Sequence, residues 1–161
     1  MERIDSSVPR IRLANGFEIS QIIKGGWQLS SGHRENLNTN PVDDMIAFAE
    51  AGITTFDCAD IYTGVEELIG KFLREWKRRN SGTEPLRVLT KFVPDADALA
   101  TLDKNYVKRI IERSLKRLSV ERLDMVQFSW WDYGIDRYIE TAGWLSDLQR
   151  EGKIELISAT N

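Results

Sequence analysis

Phe56-Asp57-Cys58-Ala59-Asp60-Ile61-Tyr62 carries an acid and a phenol off the end of a short apolar run and into a loop. Upstream, Ile53-Thr54-Thr55-Phe56 is β-branched and aromatic, the composition of a buried strand. Downstream, Thr63 and Glu66 have the form of a capping box, and Val65, Leu68, Ile69, Phe72, Leu73 and Trp76 recur at helical spacing. The stretch predicts strand, reactive loop, helix. Asp57 then stands at the end of a parallel strand, the edge at which barrels of alternating strands and helices assemble active sites from several loops. By residue type alone, an Asp and a Tyr in such a turn suit a helix cap and a half-buried aromatic equally well.

With 161 residues and 42% hydrophobic content, the chain suits one domain spanning 1–161 with a real core. It is short of the roughly 250 residues typical of a complete eight-fold barrel. The net charge is −3 and basic residues are interleaved with acids, which leaves no electrostatic footprint for nucleic acid. A single cysteine, Cys58, excludes an internal disulfide, and one histidine, His33, leaves no His/Cys cluster for a metal. No apolar run approaches the roughly 20 residues of a membrane span, and the charged start Met1-Glu2-Arg3 does not suit a secretory leader. The expectation is a soluble cytoplasmic protein with no membrane partner.

Along the chain, Ile11-Arg12-Leu13 and Phe17-Glu18-Ile19 alternate about Asn15-Gly16, a strong hairpin signal. Ile22-Ile23-Lys24-Gly25-Gly26-Trp27 reads as a first barrel strand ending in two glycines, which suit either a tight turn or close approach of backbone to a ligand. Asn40-Pro41 opens a helix, Asn80 to Pro85 is a loop, and Val88-Leu89-Thr90-Lys91-Phe92-Val93 is a strand interrupted by one lysine. An unpaired ammonium inside an apolar strand is costly, so Lys91 is expected to meet a carboxylate. Two further helices and the strands 124–129 and 154–157 complete a hairpin followed by β-α-β-α-β-α-β-α-β. A G-x-G-x-x-G turn is absent after the first strand, which favours a barrel segment over a dinucleotide-binding open sheet. Trp130 and Trp131 are adjacent at a strand end and face opposite ways, so one of them is expected at the barrel mouth.

Several motifs in order resemble the aldo-keto reductase family. Phe56-Asp57-Cys58-Ala59-Asp60-Ile61-Tyr62 with Glu66 and Gly70 is similar to that family's F-D-T-A-x-x-Y…E-x-x-(I/L)-G. Gly25-Gly26-Trp27-Gln28 is similar to its G-T-W-Q, Ser114-Leu115-Lys116-Arg117-Leu118 to its S-L-x-R-L, and Gly152-Lys153-Ile154 through Thr160-Asn161 to its G-K-I-R-x-I-G-V-S-N. The resemblance implies a (β/α)₈ TIM barrel, of which about the first five β/α units are present after the N-terminal β-hairpin, and reduction of a small carbonyl substrate with NADP as cofactor. It places the catalytic Asp on Asp57, the Tyr on Tyr62 and the Lys on Lys91. The family's histidine position falls on Ser129. Gly26, Trp27, Asp57, Thr160 and Asn161 are the implied cofactor contacts, and Trp27 and Trp130 the substrate contacts. The chemistry is coherent: an ammonium beside a phenol is expected to lower its pKa from about 10, and the carboxylate holds the ammonium. The serine admits a second reading, a nucleotide-binding or interaction protein with the same fold and no turnover. The resemblance stops five strands into the barrel, and an open sheet of that kind is expected to expose edges through which chains could self-associate.

Overall fold

Asn15 and Gly16 turn the chain between β1 (Arg10–Ala14) and β2 (Phe17–Ser20), an antiparallel hairpin in which Ile11 faces Ile19 across the pair. In this computed structural model, which describes residues 8–31, 40–79 and 85–160, β3 (Ile23–Gly25) then opens a parallel sheet. Asn40 caps α1 (Pro41–Glu50) by accepting a hydrogen bond from the Val42 N–H, as Asn-Pro at a helix entry predicts. There follow β4 (Thr55–Asp57), α2 (Val65–Arg79), β5 (Arg87–Phe92), α3 (Lys104–Leu118), β6 (Leu123–Phe128), α4 (Tyr138–Arg150) and β7 (Ile154–Ala159). His33, the loop residues 80–84 and Asn161 lie outside the described residues.

The sheet order is β3-β4-β5-β6-β7, the order of the sequence. Right-handed crossovers that never reverse direction put every helix on one face, so the sheet is a partial barrel and not a doubly wound sheet. On the helix side, Phe56, Val88, Phe92 and Val126 pack against Met45, Ile69, Phe72, Val107, Ile111 and Leu145. On the other side, Leu89 and Met125 meet Leu156 and the hairpin residues Phe17 and Ile19. Strand register stacks this inner face in rows. Leu89, Met125 and Leu156 pair across β5, β6 and β7, and two residues further on Lys91, Gln127 and Ser158 pair in the same way. The hairpin thus covers the N-terminal end, an apolar row fills the middle, and a polar row opens at the C-terminal end, where barrels carry their sites. Among the described residues no helix is long and apolar enough to cross a membrane.

The Thr63–Glu66 capping box expected from the sequence does not form. Glu66 is buried, its carboxylate accepting from the Thr90 hydroxyl at 2.8 Å and pairing with Arg117 at 3.3 Å, so α2 is tied to β5 and α3 by the group that would have capped it. Gly70 lets α2 approach α3 closely, since a Cβ there would lie 2.5 Å from the Arg117 carbonyl oxygen and 2.9 Å from that of Leu118. Alanine is the better helix former by about 1 kcal/mol, but backbone oxygens cannot rotate aside. Gly70→Ala is therefore expected to lower unfolding stability by about 1–3 kcal/mol, the usual cost of overpacking, as a fall in the urea midpoint at unchanged slope.

Candidate active site

Lys91 and Gln127 are register partners on β5 and β6, and Asp57 ends the next strand over, β4. The Lys91 ammonium donates to both carboxylate oxygens of Asp57 at 2.6 Å and to the Cys58 carbonyl at 2.8 Å. Those three bonds use all three of its N–H groups. Gln127 Nε2 donates to Asp57 Oδ1 at 2.7 Å. The lone lysine of an apolar strand thus finds the carboxylate it requires, with the Lys91 side chain 14% and that of Asp57 27% exposed. At that burial, removing either partner strands a charge in a poorly hydrated place, which is far more costly than losing a surface pair.

Tyr62 reaches the same place from the turn after β4, its ring centroid 5.5 Å from Lys91 Nζ. Asp60 fastens that turn. Its N–H donates to the Lys91 carbonyl at 3.3 Å, its carboxylate accepts from the Val93 N–H at 3.1 Å, and its own carbonyl accepts from Arg117 at 3.0 Å. The expected lowering of the Tyr62 pKa is not met. Partial burial pushes the phenol up, and the charge of Asp57 adds to that. The physical reason is that the ammonium is spent on Asp57 and Cys58, so it faces the ring with its charge already balanced.

Strand alternation sends Ser129 and Trp130 to opposite sides of the sheet. Ser129 follows β6, its N–H bonded to the Phe92 carbonyl at 3.0 Å, and lies two residues beyond Gln127 and so on the inner side. Trp130 turns the other way: it is buried, packs against Phe128 and Tyr138, and donates its indole N–H to the carbonyls of Asp132 and Ile135. It belongs to the helix-side core, apart from the Asp57–Lys91 cluster. Its neighbour Trp131 is the exposed one, anchored by a 2.7 Å bond to the Pro94 carbonyl beyond the end of β5. Trp27 opens a short 3₁₀ turn after β3 and is half exposed. At Gly26 a Cβ would lie 2.7 Å from the Asp57 carbonyl and 2.9 Å from Val65 Cγ1, so the absent side chain lets β3 close onto the Asp57 strand end. Thr160 extends the β6–β7 pairing by one bond, to the Phe128 carbonyl at 3.0 Å. Cys58 faces the helices, wholly buried, and burial raises its thiol pKa far from the nucleophilic range.

Two residues escaped the sequence reading. Gln127 could have been found, being a polar residue two positions beyond Met125 on a strand whose neighbour carries the lysine. Asp60 gave no signal, since an acid in a loop reads as solvated, yet it is buried and its carboxyl is pushed from the usual 3.8 to about 7, chiefly by that burial. The sign follows from proton linkage: the folded state holds this proton more tightly than the unfolded chain, so the group's stabilising contribution is full below about pH 4 and is lost as pH rises through about 7. Asp60→Asn, which keeps an acceptor for Val93, removes that slope. The variant is expected to gain stability over the parent as pH climbs from 4 to 7 and to level off above, by on the order of 4 kcal/mol at most, at about 1.4 kcal/mol per pH unit. Urea unfolding at a series of pH values reads it.

A sequence profile described as "Aldo/keto reductase family" matches residues 21–161. The chain belongs to the aldo/keto reductase family. It is 32% identical over 154 residues to "Probable aldo-keto reductase 1" of Glycine max, covering 88% of this chain and 41% of that protein. It is 30% identical over 151 residues to methylglyoxal reductase DkgA of Escherichia coli O157:H7, covering 94% of this chain and 48% of that one. The chain thus spans less than half the length of these two relatives. Among solved structures it is similar to an aldo/keto reductase from Klebsiella pneumoniae in complex with NADP and acetate, with a TM-score of 0.71 and 24% identity over 94% of this chain and 49% of that one. That likeness bears on the fold, the aldo/keto reductase TIM barrel, of which the five parallel strands here form a part.

Proposed function

We propose that the complete protein is an NADP-dependent oxidoreductase that reduces aldehydes or ketones to alcohols, with Tyr62 as proton donor assisted by Lys91 and Asp57. The observation that carries this reading is the Lys91 ammonium held at 2.6 Å by Asp57 and facing the Tyr62 ring. Family membership and relatives bearing the names of carbonyl reductases support it.

The residues present fit the nicotinamide end of the cofactor. Gly26 and Trp27 follow β3, Asp57 ends β4 and Thr160 follows β7, and together they offer an aromatic face and polar groups, whereas the Lys91 ammonium has no N–H left for a phosphate. When bound, NADPH supplies the hydride. The chain's own part is the proton. A phenol with a raised pKa stays protonated at neutral pH and is able to give its proton to a carbonyl oxygen that becomes negative. The Lys91 ammonium, paired with Asp57, faces the ring that carries the phenolate left behind, and no proton moves from lysine. Asp57 and Gln127 hold that ammonium in place. The Ser129 hydroxyl is a further donor on the inner side of the strand ends.

Ser129 also favours the second reading, a protein that binds the nucleotide without turnover, because serine does not titrate near neutrality as histidine does. Steady-state consumption of NADPH with a panel of aldehydes separates the two. The complete protein is expected to oxidise NADPH only when an aldehyde is added. Saturable NADPH binding with no consumption across the panel would select the binding protein.

A further inference from the structure

The outer groove between α2 and α3 holds about 510 Å³ and is lined by Lys71, Arg74, Arg113, Lys116 and Arg117 against a single carboxylate, Glu67. In a chain of net charge −3 this is a concentrated excess of positive charge. Its pairing is incomplete. Arg117 is taken by Glu67 at 3.0 Å and by the buried Glu66 at 3.3 Å, Arg74 donates to the neutral Ser119 hydroxyl at 2.6 Å, and the described residues give Lys71 and Lys116 no ion pair. Arg113 reaches only Asp60, at 3.4 Å. Lys116 and Arg117 fall in the last turn of α3, where cations complement the helix dipole, but Lys71 and Arg74 sit mid-helix on α2, where that explanation does not apply. The two helices that wall the groove are held in close contact at Gly70, whose missing Cβ would lie 2.5 Å from the Arg117 carbonyl oxygen.

The geometry points to this groove as a binding site for a small molecule carrying two or more phosphate groups, linked to the candidate active site through Arg113 and Arg117. Phosphate is the chemistry that guanidinium forks match best, and the volume exceeds what a single phosphate needs. The link is direct: Arg113 and Arg117 point outward into the groove and inward to the Asp60 carboxylate and carbonyl, and Asp60 fastens the Tyr62 turn to the Lys91 and Val93 backbone. A phosphate in the groove competes with Asp60 for Arg113, and the first reporter of that competition is the Val93 amide. This site lies on the helix face, away from the strand ends, and its test does not depend on catalysis.

Inorganic pyrophosphate, titrated calorimetrically at fixed ionic strength with chloride as the balancing anion, is the probe. Saturable one-to-one binding is expected, tighter than that of inorganic phosphate, with the Val93 amide resonance shifting along the same isotherm. Lys71→Ala/Lys116→Ala, both exposed positions, is expected to weaken binding at least about tenfold, because two full positive charges leave the groove. Lys104→Ala/Arg150→Ala removes the same charge from around Asp147 and is expected to leave it unchanged. Absence of saturation, equal weakening in both double variants, or binding insensitive to either would overturn the site. Binding that leaves Val93 unmoved would overturn its link to the Tyr62 turn.

Discussion

Replacing Tyr62 with phenylalanine in the complete protein is expected to lower kcat for aldehyde reduction by about 10²–10⁴-fold, the usual weight of a positioned general acid. NADPH affinity is expected to stay near that of the parent. The substitution is clean in this setting. The Tyr62 ring packs against the helix-side core and faces the Lys91 ammonium, and phenylalanine keeps both contacts while deleting only the hydroxyl. What is lost is an interaction made only as the carbonyl oxygen becomes negative, so kcat and kcat/KM fall together while ground-state binding holds. Steady-state kinetics with a fluorescence titration of NADPH reads both. Unchanged turnover would move the acid to another residue, and loss of cofactor binding along with turnover would mean that the hydroxyl serves the fold.

The contrast between what the sequence made legible and what it did not has a physical pattern. The strand at 88–93 could be read because an apolar run bounded by turns allows little else, and its lysine could be assigned a carboxylate partner because a bare ammonium there is prohibitively expensive. The hairpin followed from Asn15-Gly16, and the α1 entry from Asn40, whose side chain accepts from the Val42 N–H group. These are local or one-dimensional constraints. What failed depended on neighbours distant in sequence. Glu66 looked like a cap until Thr90 and Arg117, 24 and 51 positions away, drew it inward. The Tyr62 pKa was expected to fall because Lys91 was counted as a free charge, whereas Asp57 and Cys58 take all its donors. Adjacency placed one of Trp130 and Trp131 at the barrel mouth without saying which, and the family resemblance pointed to Trp130. Alternation decides that question once Met125 is known to face the hairpin, because Gln127 and Ser129 then share its side and Trp130 takes the helix side.

That alternation bears directly on the position at which the enzyme and binding readings divide. Ser129→His in the complete protein is expected to raise the rate on simple aldehydes by roughly 10²-fold, the scale of one oriented donor at a developing oxyanion. Room is the first concern, because overpacking costs about 1–3 kcal/mol. Trp130 does not compete for that room, since its indole is fixed to the Asp132 and Ile135 carbonyls on the opposite side of the strand. Trp131 is held to Pro94 and leaves more than half of its surface in solvent. Ser129 is itself only half-buried, and its backbone N–H is committed to Phe92, so the new imidazole changes what the strand end presents without loosening the strand. Charge favours the change as well. The Asp57–Lys91 pair is neutral overall, and an added imidazole donates a hydrogen bond to the substrate oxygen without facing an unpaired cation. The measurement is NADPH-dependent reduction of an aldehyde panel by parent and variant, with circular dichroism confirming equal folding. A folded His variant that binds NADPH and reduces nothing would sink the view that this chain is a reductase lacking one donor, and the family fold would then serve nucleotide binding without chemistry.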